Sequence, residues 1–126
     1  MLSNQKKIWY KKMFFYSAIY NWLISISFFF GYKAILPLLN MELPIYPVFL
    51  LIMLFFVFII GIGYYWVYLD IDRNHDIIKI GAMMKLGVVI LVSWACLSNQ
   101  IHPILIITAI GDLIFILFFV KFLKEY

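Results

Sequence analysis

Residues 77–97 read IIKIGAMMKLGVVILVSWACL, and residues 104–120 read ILIITAIGDLIFILFFV. Both are apolar runs on the scale of a membrane-crossing helix, which needs about 20 mainly apolar residues. Each is broken far inside by one charge, Lys85 in the first and Asp112 in the second. A charge that deep in hydrocarbon costs about 2.5–3.5 kcal/mol on insertion scales, so it normally faces a partner or a wet cavity. These two residues therefore place the stretches side by side in a membrane bundle and mark where function would reside.

Two further runs qualify, residues 14–32 and 48–68. The hydrophobic fraction is 67% and the charged fraction 13%, with mean hydropathy +1.04, far from a soluble globular composition. The sequence predicts an all-α integral membrane four-helix bundle. It forms a single transmembrane domain over residues 1–126, with helices at about 14–32, 48–68, 77–97 and 104–120. The net charge of +4 does not mark a nucleic-acid binder, because no soluble basic surface remains once the apolar runs are in lipid. The basic stretch before residue 14 resembles a signal peptide's, but the apolar run is long and lacks a small-x-small cleavage site. It reads as a retained first helix.

The connections carry the orientation. Residues 33–47 contain Pro37, Pro44 and Pro47 among apolar residues, which predicts an interfacial segment with a short helix that Pro44 ends. Residues 69–76 form a tight charged turn, and residues 98–103 a short loop without Lys or Arg. Lys6, Lys7, Lys11, Lys12, Arg73, Lys79, Lys121 and Lys124 fall on one side of the bundle and Lys33 alone on the other. By the positive-inside rule both the N-terminus and the C-terminus are cytoplasmic. Trp9, Tyr10, Tyr64, Tyr65, Trp66 and Tyr68 are expected to form an aromatic belt on that side.

At about 1.5 Å per residue, Lys85 and Asp112 each lie about 12 Å from the cytoplasmic ends of their helices. On the first helix Asn21 lies about 10 Å in, with Ser17 and Ser25 on the same face. Gly61 and Gly63 bring the second helix to that level, where a missing side chain admits a neighbouring helix or a ligand. The candidate ligand-binding layer is thus Asn21, Lys85 and Asp112, assisted by Tyr20, Gly61 and Gly63. It could hold a lipid or quinone head group, an ion or a proton. The competing reading is a buried Lys85–Asp112 bridge, capped by Asn21, that only fixes how the helices pack.

Other motifs are weaker. Asp70-x-Asp72-x-Asn74 opens like a calcium loop, but His75 stands where the loop needs Gly and Gly81 where it needs Glu. Asp72-x-x-x-Asp76 has the spacing of diphosphate-binding carboxylates in membrane prenyltransferases, yet no second acidic motif follows. No metal is expected there; a solvated turn capping the third helix through Asn74 or Asp76 is. His75 and His102 fall on opposite sides and cannot share a metal. Cys96 is the only cysteine, so no intrachain disulfide or CxxC pair exists, and the sequence names no cofactor.

Tyr20-Asn21, Gly61-Ile62-Gly63-Tyr64, Asp72-Arg73-Asn74, Gly81-Ala82-Met83-Met84-Lys85 and Gly111-Asp112-Leu113-Ile114-Phe115 resemble small, uncharacterised bacterial four-helix membrane proteins with a DoxX-like layout. DoxX-like proteins are four-helix bundles, some linked with respiratory quinol or thiol-redox systems. The resemblance implies a multi-pass protein of the bacterial inner membrane, with Asn21, Lys85 and Asp112 as its matched polar positions. It implies no particular reaction.

Three functions compete. One is a noncatalytic inner-membrane accessory or small-molecule-binding protein that holds a lipid or quinone head group. Its partners would be the bilayer itself, a further copy in a homo-oligomer, or a membrane-complex partner. Another is a membrane enzyme on a lipid-like substrate, with Asp112 and Lys85 as acid and base. The third is a small oligomeric transporter. One Lys and one Asp are few titratable groups for a catalytic site, and a transporter usually shows repeats or broken helices, so the accessory reading leads.

Overall fold

The computed structural model describes residues 2–126. They fold as four helices, α1 (Asn4–Leu38), α2 (Pro47–Leu69), α3 (His75–Leu97) and α4 (Ile106–Glu125), with a 3₁₀ turn (Pro103–Leu105) leading into α4. Each long helix is long and apolar enough to cross a membrane. Consecutive helices run antiparallel, and the termini lie at the same end as the α2–α3 turn.

Helix α1 extends at both ends past the apolar run that announces it. Its 35 residues span about 52 Å, well beyond a hydrocarbon core of about 30 Å. Ser3 begins it, accepting a hydrogen bond from the Lys6 amide at 3.3 Å, as a helix N-cap should. The lysines at 6, 7, 11 and 12 are thus helical rather than a loose arm.

At the other end α1 runs through Lys33 to Leu38, where an interfacial segment with its own short helix was expected. Pro37 falls in the last turn, where its ring disrupts least of the helix. Asn40 then adopts a left-handed φ of 54°. The Met41 amide bonds the Leu36 carbonyl at 2.9 Å and the Asn40 amide bonds that of Pro37 at 3.0 Å, the two bonds of a Schellman stop. The connection shrinks to residues 39–46, and Pro44 ends no helix. Pro47 instead opens α2, a position where its missing N–H costs nothing. The same stop closes α3: Asn99 has φ 59°, and the Gln100 amide bonds the Ala95 carbonyl at 2.9 Å.

Helix α3 starts at His75, and α4 continues to Glu125. Asn74 occupies the N-cap position of α3 with a left-handed φ of 66°, its side chain making no cap bond, while Asp76 lies in the first turn. There a carboxylate favours the helix dipole.

The core sits toward the termini. Phe14, Tyr64, Val67, Ile78, Phe119 and Phe122 are completely buried there. Ring pairs join α1 to α4, with centroids 5.2 Å apart for Phe14 and Phe119 and 5.0 Å for Tyr10 and Phe122. Tyr64 of α2 packs edge-on to Phe119 at 5.1 Å. Tyr64 is therefore a core residue and not part of an interfacial belt. Tyr10 is buried as well, its hydroxyl donating to Glu125 at 2.8 Å.

Candidate functional site

The four helices meet in one hydrogen-bonded layer. Lys85 Nζ of α3 donates to Asp112 Oδ1 of α4 at 2.8 Å and to Asn21 Oδ1 of α1 at 3.1 Å. Asn21 Nδ2 donates in turn to the Val57 carbonyl of α2 at 3.2 Å. A single chain of bonds thus crosses α4, α3, α1 and α2. Beside it, the Tyr20 hydroxyl donates to the Thr108 carbonyl of α4 at 2.8 Å. The Trp22 ring N–H donates to the Phe58 carbonyl of α2 at 3.2 Å.

Glycines make these approaches possible. A Cβ at Gly61 would lie 2.8 Å from Trp22 Nε1 and 3.2 Å from Asn21 Cβ, so only glycine lets both α1 side chains reach α2 carbonyls. A Cβ at Gly111 would lie 2.6 Å from the Tyr20 hydroxyl. Gly81 is covered by the hydroxyl end of Tyr64. Side chains too bulky for a close helix crossing are seated on the neighbouring backbone.

Lys85 and Asp112 are 4% and 8% exposed. Removing two charges from water is expensive, and attraction offsets that cost only when geometry and further bonds are good. Here the ammonium has two oxygen acceptors. It also lies 5.2 Å from the ring centres of Tyr20 and Phe115 and 5.5 Å from that of Tyr64. A desolvated cation over an aromatic face gains about 2 kcal/mol. Snorkelling is unnecessary: Lys85 points into the bundle.

The layer's polar capacity is not used up. Asp112 accepts through Oδ1; among the described residues its second oxygen receives no hydrogen bond. Ser17 Oγ and Tyr64 Oη, both fully buried, also lack partners among the described residues. Ser17 is one turn toward the termini from Asn21, Tyr64 is close to one turn beyond Gly61, and Gly81, against which Tyr64 Oη rests, is one turn before Lys85.

Of the residues expected in the layer, Tyr20, Asn21, Gly61, Lys85 and Asp112 come together. Gly63 does not: it faces Ile77 at the start of α3, where a Cβ would lie 2.8 Å from Ile77 Cγ2. Sequence reasoning missed Phe115 and Tyr64 as walls of the ammonium site. Phe115 is three positions after Asp112, so helical spacing held its signal, whereas Tyr64 is placed by its contact with Gly81 on another helix.

One turn farther from the termini than Asn21, a groove of about 200 Å³ opens between α1 and α2, lined by Ser25, Ile26, Phe29, Phe30, Leu54, Phe55 and Phe58. Ser25 Oγ is internally satisfied by the Trp22 carbonyl at 3.2 Å. Apart from Ser25 its lining is apolar.

The charged turn is a latch. Lys7 donates to Asp72 Oδ1 at 3.0 Å, and the Tyr126 hydroxyl donates to the same oxygen. Arg73 pairs with Asp70 at 3.5 Å and Lys79 with Asp76 at 3.4 Å. His75 Nε2 lies 2.9 Å from the Ile71 carbonyl, its ring against Phe122 and Tyr126. His102, at the opposite end, accepts the Ile104 amide through Nδ1 at 3.0 Å and caps the 3₁₀ turn. Compared with known proteins, the chain matches no family model, no curated protein and no solved structure.

Proposed function

We propose that this chain is a noncatalytic, multi-pass accessory protein of the bacterial inner membrane that holds the head group of a lipid or quinone-like amphiphile at its Asn21–Lys85–Asp112 layer. The observation that carries the reading is the unused capacity of a nearly buried carboxylate. Asp112 spends one oxygen on Lys85, and the other, without a hydrogen bond among the described residues, is left as an acceptor for a head group. The apolar groove on the α1–α2 seam, one turn from Asn21, offers room for a hydrocarbon tail.

One Lys and one Asp are few titratable groups for a catalytic site, which favours binding over chemistry. In this reading both termini are cytoplasmic, since Lys6, Lys7, Lys11, Lys12, Arg73, Lys79, Lys121 and Lys124 gather at that end. The DoxX-like likeness is retained as part of the proposal and rests on the short motifs.

Native mass spectrometry of gently extracted protein tests it. The wild type should retain an amphiphile that Lys85→Met/Asp112→Leu loses while remaining folded. A wild type that carries none, or a double variant that carries the same one, overturns the reading. Reporter fusions after Asn99 should appear outside the cell and fusions after Tyr126 inside.

A further inference from the structure

We infer that the polar layer is a receptor for an ammonium group, with Lys85 as its resident occupant, and that the amphiphile it serves carries an ammonium head group. The inference rests on the amphiphile-binding reading and names the chemistry of its ligand.

The groups around Lys85 Nζ form a set recognisable apart from Lys85 itself. Three aromatic rings stand at 5.2–5.5 Å, a carboxylate oxygen at 2.8 Å and an amide oxygen at 3.1 Å. Aromatic faces with an anionic neighbour are how proteins recognise alkylammonium ligands. All five groups come from other helices: Tyr20 and Asn21 from α1, Tyr64 from α2, Asp112 and Phe115 from α4. Helix α3 contributes only the cation.

Helix α3 also buries the fewest residues of the four helices. Its buried residues are Ile78, Gly81 and Lys85, and none follows Lys85. Beyond its first turns, the ammonium is its one deep anchor to α1. The receptor also exceeds what Lys85 needs, because the second Asp112 oxygen and the Ser17 and Tyr64 hydroxyls stay unpartnered among the described residues. A head group bearing an ammonium and a further polar function uses acceptors and donors that a lysine side chain cannot. Lys85 then acts as an internal competitor, and a head group of this class enters when α3 moves outward.

The test replaces the occupant. Lys85→Ala leaves the cage standing with an unpaired Asp112, so its melting temperature should fall and should rise saturably on adding n-butylammonium chloride, beyond the effect of equal potassium chloride. Adding Asp112→Asn should weaken that response about tenfold, the scale of one hydrogen bond to a charged group. In nanodiscs, Lys85→Ala should retain phosphatidylethanolamine over phosphatidylglycerol, read by native mass spectrometry.

If Lys85→Ala does not fold, the wild type carries the test: it should retain phosphatidylethanolamine selectively, and Tyr20→Leu should abolish the preference. Stabilisation by butylammonium without lipid retention supports the receptor and assigns its ligand to the aqueous phase. Indifference of folded Lys85→Ala to both sources overturns the inference, as does a wild type that fails the selectivity test when that variant does not fold. An anionic or neutral amphiphile on the wild type, combined with that indifference, defeats the ammonium chemistry and leaves amphiphile binding intact. A wild type with no amphiphile at all defeats the latter instead.

Discussion

Toward the termini all four helices interlock, whereas beyond Lys85 burial is confined almost to the α1–α2 pair, at Ser25, Tyr32, Leu36 and Leu54. In the first region Phe14, Ser17, Ala18, Tyr64, Val67, Ile78, Phe119 and Phe122 are sealed from any surround. In the second, α3 has no buried residue and α4 has only Ala109, while Phe30, Ile90, Leu91, Trp94, Leu97 and Ile107 are exposed. Hydropathy does not separate the two, since both are apolar. What separates them is shape: the packed region pairs aromatic side chains with glycines on the facing helix, and the open one pairs neither. Lipid is as apolar as a leucine, so in a membrane packing and polar bonds decide which helices meet. Lys85 and Asp112 sit at the border, where the last bonds of the packed region are made.

The largest effect should come from dividing that border pair. Lys85→Met leaves an unpaired buried carboxylate and Asp112→Leu an unpaired ammonium, and removing one partner of a buried pair costs about 3–5 kcal/mol. The double variant should recover most of the loss in detergent unfolding experiments. Recovery of stability together with recovery of phenotype would reduce the layer to a helix staple; a folded but inactive double variant is the outcome expected for a binding site. A double variant no more stable than either single one would mean that the pair does not set the border.

A smaller effect compares the glycines of the two regions. Gly81→Ala drives a methyl group into the Tyr64 hydroxyl end, in a part of the core with no slack. Overpacking of this kind costs about 1–3 kcal/mol. Gly87, less than two turns away on the same helix, has nothing within 4 Å of an added Cβ. Gly87→Ala should therefore stabilise α3 by up to about 1 kcal/mol, the helix-propensity difference. Equal responses at the two sites, measured by thermal unfolding, would erase the contrast between the regions.

Much of this was readable in the chain. The four helices follow from apolar length, and the depth of Lys85 and Asp112 follows from rise per residue, which is why their contact was expected. Asn21 was legible because it is a lone amide at the same depth. The ends of α1 were not, because hydropathy reports where lipid lies and not where a helix stops. Ser3 and Asn40 carry that information as a cap and a left-handed stop. The cage was half-legible: Tyr20 adjoins Asn21, but Tyr64 read as an interfacial aromatic because its partner, Gly81, is on another helix. Such pairing across helices cannot be seen along one sequence.

The smallest effect concerns the latch that closes the packed end. The hydrogen bond from Tyr126, and after it that from Lys7, holds the Asp72 carboxyl below its ordinary value of 3.8. The same bond, helped by burial and the carboxylate charge, pushes the Tyr126 hydroxyl up from 10.0 to about 12. A depressed carboxyl pKa contributes stability that is present above the unfolded value and lost as pH falls through the folded one. For the raised tyrosine, the contribution is present below 10.0 and lost as pH rises toward 12. The difference in melting temperature between wild type and Tyr126→Phe should thus stay level from about pH 4 to pH 10 and shrink on either side. Asp72 is exposed, so solvent screening keeps the difference small, and added salt should reduce the Lys7 contribution further. A difference that instead changes inside that window would mean that the phenol–carboxylate bond does not set the latch.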